Sequence, residues 1–99
     1  MSRWIIQPGV VLVEIHGVYL LVSDLEARKH CRYLRQVSEL GARIWTLLSN
    51  GKSRDEITSM IREEYDVPEG TRLGEDVDRF LGALQEKHYI IREAVSHEV

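Results

Sequence analysis

The chain changes character at a single junction. Arg32-Tyr33-Leu34-Arg35-Gln36-Val37 reads as a short strand ending on a β-branched residue, and Ser38-Glu39-Leu40-Gly41-Ala42-Arg43-Ile44-Trp45 reads as the opening of a helix. Ser38 can accept a backbone hydrogen bond as an N-cap, and Glu39 sets negative charge where the helix dipole favours it. Leu40, Ile44, Leu47 and Leu48 then recur at helical spacing as an apolar stripe, which Trp45 extends as a predicted core anchor. The residues before the junction look like sheet, and those after it look like helix. That order restricts the chain to an α+β fold in which a three-stranded antiparallel sheet is followed by three helices packed on it.

On the sheet side, Val10-Val11-Leu12-Val13-Glu14-Ile15 and Val18-Tyr19-Leu20-Leu21-Val22 are β-branched and apolar. His16-Gly17 between them suits a two-residue hairpin turn, with Gly17 supplying a positive φ. Pro8-Gly9 marks a turn just before. Ser23 to His30 is polar, a loop or a short helical turn around Leu25-Glu26-Ala27. The third strand begins near Cys31 or Arg32 and ends near Val37. Its charge suits an edge strand better than a central one.

On the helical side, the first helix spans about Glu39 to Ser49, with Gly51 suited to the left-handed position beyond its end. Ser53 and Glu56 form a predicted capping box for the second helix, whose buried face is Ile57, Met60, Ile61 and Tyr65. Asp66 to Gly70 breaks the chain. The third helix runs from Thr71 or Leu73 to Lys87 and carries Leu73, Val77, Phe80, Leu81 and Leu84 on one face. Gly74 and Gly82 each cost it about 1 kcal/mol relative to alanine unless close packing uses them. Tyr89-Ile90-Ile91 is a short apolar end expected to pack back on the sheet, and residues 92–99 are expected to be a mobile tail.

A length of 99 residues predicts one domain, with its core over about 10–91. A net charge of -3 argues against nucleic-acid binding through bulk charge. Cys31 is the only cysteine, so no intrachain disulfide can form and a reducing compartment is expected. The apolar run at Trp4-Ile5-Ile6 is too short for a signal peptide, and no run approaches a membrane span, so the expected location is the cytoplasm. His16, His30, His88 and His97 lack the spacing of a helical zinc site. Neither a phosphate loop nor a nucleophile with its base is evident, so no catalysis, cofactor or metal is expected. Glu63, Glu64 and Asp66 read as a solvated helix end. Arg28, Lys29, Arg32 and Arg35 fit two roles equally, protection of the sheet edge or contact with an acidic ligand.

Strand geometry adds one constraint. Successive residues direct their N–H and C=O groups to opposite edges. Tyr33, Arg35 and Val37 therefore share one edge of the third strand, and Leu34 and Gln36 share the other. The pattern does not say which set is free.

Glu39-Leu40-Gly41-Ala42-Arg43-Ile44-Trp45, Leu47-Leu48, Gly51, Glu56-Ile57, Ile61, Glu64-Tyr65-Asp66-Val67, Asp76-Val77, Phe80-Leu81 and Leu84 closely resemble the PqqD-like family, over about Val10 to Ile91. The resemblance implies a winged helix-turn-helix-like domain that recognises peptides in pathways of ribosomally made, modified peptides. It implies no enzyme activity. The expected partners are the leader of a precursor peptide and a modifying enzyme, commonly a radical S-adenosylmethionine protein. The leader would add a strand to the third strand, at Arg32, Tyr33, Leu34, Arg35, Gln36 and Val37. The wall of its groove would be Asp76, Arg79, Phe80, Ala83, Leu84 and Lys87 on the third helix. Neither nucleic acid nor membrane is an expected partner, and an open edge also permits a homodimer. The alternatives are a winged-helix DNA-binding protein and an accessory subunit contacting only a partner enzyme. This chain departs from the family in a longer loop at Asp24 to His30 and in His88, where the family commonly has glycine.

Overall fold

The computed structural model describes residues 2–68 and 70–94. Within them the order is β1 (Ser2–Ile6), β2 (Val10–Ile15), β3 (Val18–Ser23), β4 (Leu34–Val37), α1 (Glu39–Ser49), α2 (Arg54–Glu64), α3 (Leu73–Glu86) and β5 (Ile90–Ala94). The loop between β3 and β4 holds a 3-10 turn at Ala27–Lys29. The fold is α+β, as the sequence predicts, and winged helix-turn-helix-like, as the resemblance implies.

β2, β3 and β4 form an antiparallel sheet in that order. The hairpin turn is His16-Gly17, with φ of 51° and 81°. Two consecutive positive φ values make a type I′ turn, whose twist matches that of the flanking strands. Val10, Leu21, Ser23 and Val37 are buried on the face that meets the helices, while Val11, Ile15, Val18 and Leu34 stand exposed on the other.

The two chain ends differ from expectation. β1 pairs antiparallel with β5, from Ser2 opposite Ala94 to Ile6 opposite Ile90, and makes a separate two-stranded sheet. So Tyr89-Ile90-Ile91 leads into a strand paired with the N-terminus, and Arg92 to Ala94, expected to be mobile, belong to that strand. The rest of the expected tail, residues 95–99, lies outside the described residues. Each strand needs a partner at the far end of the chain, which local periodicity does not reveal. The Arg92 guanidinium sits over the Trp4 indole, 4.5 Å from the ring centroid, and ties the pair together.

The helix ends follow their sequence signals. The Gly41 N–H donates to Ser38 Oγ at 3.0 Å, and Ser53 with Glu56 completes a capping box. All three helices end in a Schellman motif, in which two backbone N–H groups beyond the helix bond back to its last turn. The left-handed residues are Gly51, Asp66 (φ 50°) and His88 (φ 69°). At α3, His88 N–H bonds to the Gln85 carbonyl and Tyr89 N–H to the Leu84 carbonyl. The backbone at 88 therefore keeps the conformation that glycine adopts most readily, and a histidine supplies it.

Ile44, Trp45, Leu47, Ile57, Ile61, Val77, Leu81 and Leu84 meet Leu21 in one core, with Trp45 only 3% exposed. Tyr65, expected on the buried face of α2, is 42% exposed, because α2 ends at Glu64 and Tyr65 caps it instead. A Cβ on Gly41 would lie 2.9 Å from the Phe80 ring, so glycine lets α3 approach α1 there. Gly74 is likewise used, since Arg54 donates to its carbonyl at 3.1 Å, whereas Gly82 faces open space. Arg54 also grips Asp78 with two bonds of 2.8 and 2.9 Å, which clamps α2 to α3. Among the described residues, no helix is long and apolar enough to cross a membrane.

Candidate functional site

Among the described residues, β4 has a neighbour on one side only, which leaves its second edge open. The type I′ turn makes Ile15 and Val18 a hydrogen-bonded pair. Alternation then turns Val18, Leu20 and Val22 toward β2, and Tyr19, Leu21 and Ser23 toward β4. Tyr19 stands opposite Val37 and Leu21 opposite Arg35, and the Ser23 N–H donates to the Tyr33 carbonyl at 2.8 Å. Tyr33, Arg35 and Val37 are thus the set bonded to β3. Leu34 and Gln36 direct their backbone groups to the open edge, which settles the parity the sequence leaves undecided.

Side chains alternate with the same period. Leu34 is 44% exposed on the outer face, while Arg35 is half-buried and Val37 is 8% exposed on the inner one. Val37 therefore supports the sheet from within. The α3 wall divides similarly. Asp76 and Arg79 are exposed and paired with each other at 3.2 Å. Phe80 and Ala83 are half-buried, and Lys87 is exposed. Leu84 is 0% exposed, so its side chain backs the wall from the core rather than lining it.

The basic group expected near the strand also divides. The Arg28 guanidinium lies 3.7 Å from the Tyr33 ring centroid and donates from Nε to the Ser23 carbonyl at 3.0 Å. Lys29 pairs with Glu26 at 3.3 Å. Arg32 and Arg35 instead face a cavity of about 350 Å³ between the start of β4 and the end of α3, lined also by His30, Glu86, Lys87, His88 and Tyr89. The buried Cys31 thiol closes this end by donating to the His88 carbonyl at 3.0 Å. Burial pushes the Cys31 thiol pKa up, away from the thiolate a nucleophile requires. Burial likewise raises the Tyr89 phenol, with Cys31 adding to the effect and Arg35 and Arg32 opposing it.

A larger cavity of about 500 Å³ is lined by Trp4, Lys52, Arg54, Asp55, Asp78 and Arg92. Its central cation, Arg54, is already bonded to Asp78 and Asp55, which hold its pKa above the usual value. The described residues contain no group of three or more His, Cys, Asp or Glu side chains placed to hold a metal ion.

The open edge, α3 and every residue of the basic cavity except His30 lie within one stretch of sequence, and that stretch matches a known family. Residues 31–90 match the family described as Coenzyme PQQ synthesis protein D (PqqD). The chain belongs to this family. The span holds β4, all three helices and the His88-Tyr89 turn of this PqqD-family protein. A solved structure described as TbiB1 in complex with the TbiA(beta) leader peptide is similar to it, at 30% sequence identity and a TM-score of 0.67. The similarity covers 86% of this chain and 92% of that one. No match was found among curated proteins.

Sequence patterning alone does not find His30, Glu86, His88 and Tyr89 as cavity residues. Tyr89 stands among isoleucines and reads as an apolar end. The one available signal is His88, which the resemblance singles out as a departure from the family pattern.

Proposed function

We propose that this PqqD-family protein is a non-catalytic recognition element that binds the leader of a ribosomally synthesised precursor peptide as a strand added to β4. It then presents the peptide to a modifying enzyme, of the radical S-adenosylmethionine type, in the cytoplasm. The observation that carries the proposal is the open edge at Leu34 and Gln36, whose N–H and C=O groups face away from β3. Strand addition satisfies such groups, and alternate side-chain pockets supply selectivity. The similarity to TbiB1 in its complex with a leader peptide supports a leader peptide as the ligand.

Leu34, Arg35, Gln36 and Val37 supply the docking strand, which starts later than the sequence suggests, with Arg32 and Tyr33 leading into it. Asp76, Arg79, Phe80, Ala83 and Lys87 flank the groove, with Leu84 behind them. Strand addition needs neither a nucleophile nor a metal.

The test is a titration with synthetic leader peptides of short precursors encoded beside this gene, monitored through backbone amide resonances. Binding is expected to shift the Leu34 and Gln36 amides most, and the α3 wall next. A tight complex that leaves the β4 amides unshifted would overturn the proposal.

A further inference from the structure

Ser23 Oγ, Arg35 Nε and the Tyr89 hydroxyl are buried side-chain atoms with no hydrogen-bond partner among the described residues. Two of these three residues, Arg35 and Tyr89, line the cavity between β4 and the end of α3. Tyr89 is 1% exposed, so bulk water does not satisfy its hydroxyl. Buried polar groups are nearly always paired, and each exception calls for a physical reason. Both atoms can donate. The cavity also gathers Arg32 and Lys87, against the single carboxylate of Glu86. Among the described residues, Arg32, Arg35 and Lys87 make no ion pair.

Donors without acceptors, in a cavity of net positive charge, fit an anion. A carboxylate is acceptor-only and has about four lone-pair sites for such donors. We propose that this cavity is a carboxylate subsite that takes the Asp or Glu side chain of a bound peptide, at the peptide residue opposite Arg35. The subsite rests on β4 being the docking edge. For a peptide running antiparallel to β4, the residue opposite Arg35 belongs to a close, non-hydrogen-bonded pair, because the Arg35 N–H is turned toward β3. Its side chain shares the face of Arg35 and points into the cavity. The peptide residue two positions away stands opposite the buried Val37, and that place favours an apolar side chain. The recognised pattern is therefore an apolar and an acidic residue separated by one position.

The test begins with selection from a displayed library of random peptides on the wild-type protein. Selected peptides that lose binding to the Gln36→Pro variant are bound at the β4 edge. These are expected to carry Asp or Glu at one fixed position. Exchanging that Glu for Gln is expected to weaken wild-type binding about tenfold, the value of a charge-assisted hydrogen bond. Arg35→Gln is expected to erase the preference for Glu over Gln, and Tyr89→Phe to reduce it severalfold. Tyr89→Phe removes only an unpartnered hydroxyl, so its melting temperature should match wild type, which separates recognition from folding. Edge-bound peptides with no acidic position, or an unchanged preference in both variants, would overturn the subsite and leave leader binding standing. A selection that returns no Gln36→Pro-sensitive peptide would overturn both.

Discussion

Proline placed at two adjacent positions of β4 should have opposite consequences. Proline removes a backbone N–H and fixes φ near the extended region. At Arg35 the lost N–H is the one that faces the Leu21 carbonyl, since these residues stand opposite each other in the bonded set. The ladder bond contributes about 1 kcal/mol. Leu21 is 0% exposed, so its carbonyl would be left unpaired in the core, at a further cost of about 1–3 kcal/mol. A loss of about 2–4 kcal/mol is a large share of the 5–15 kcal/mol typical of a domain. At Gln36 the N–H faces the open edge, where proline is tolerated in sheets. Arg35→Pro should therefore melt markedly lower, while Gln36→Pro should stay within about 1 kcal/mol of wild type. Gln36→Pro should nevertheless weaken leader binding by tenfold or more, because each 1.4 kcal/mol is about a factor of ten and the proline ring obstructs the incoming strand. Urea melts and a peptide titration on both variants decide the matter. If Gln36→Pro unfolds while Arg35→Pro stays folded, the assigned edge is wrong. If both stay folded and bind normally, strand addition at β4 is wrong.

Trp45→Ala should cost about 3–5 kcal/mol, since it empties a large site in the core, and wild-type stability in denaturant would contradict that burial. His88→Gly should raise stability by up to about 1 kcal/mol by relieving the left-handed conformation, whereas Gly51→Ala should lower it by a similar amount; thermal melts that reverse either sign would show that the Schellman geometry is not the controlling factor. The Asp78, Glu64 and Glu56 carboxyls are held below their ordinary pKa, by hydrogen bonds from Arg54, from Arg43, and from the Ser53 backbone N–H with its hydroxyl. A lowered folded-state pKa stabilises fully above the ordinary carboxylate range and is lost as pH falls through the lowered values, so stability should hold down to about pH 5 and decline below about pH 4. Asp78→Asn should flatten that decline in urea melts across pH, and an unchanged slope would show that the α2–α3 clamp does not govern it. Arg32 and Lys87 at the cavity mouth should make leader association salt-dependent, chiefly through the on-rate, and flat kinetics between low and high salt would remove their electrostatic role.

Much of this protein is local and was therefore legible. The hairpin followed from β-branched runs around His16-Gly17, and the helix starts followed from Ser38 and the Ser53–Glu56 box. These signals act within a few residues, where hydrogen bonding and side-chain period decide the outcome. The edge character of β4 was likewise carried by its charge, and the Gly-Ala-Arg-Ile-Trp run carried the family. Tertiary structure decided the rest. β1 and β5 pair across nearly the whole chain, and neither strand has a local reason to form without the other. The free edge of β4 depended on the hairpin register, which counts residues from a turn in another part of the sequence. Tyr65 left the core when α2 stopped one residue short of it, and Leu84 withdrew behind the wall because α3 turns that side chain fully inward. The sequence singled out Arg32, Arg35, Lys87 and His88 separately, but not the cavity they share. Arg32 and Arg35 share a cavity with Lys87 and Tyr89 only because the fold brings the end of α3 near the start of β4, and the unpaired donors there arise from that arrangement rather than from any one residue.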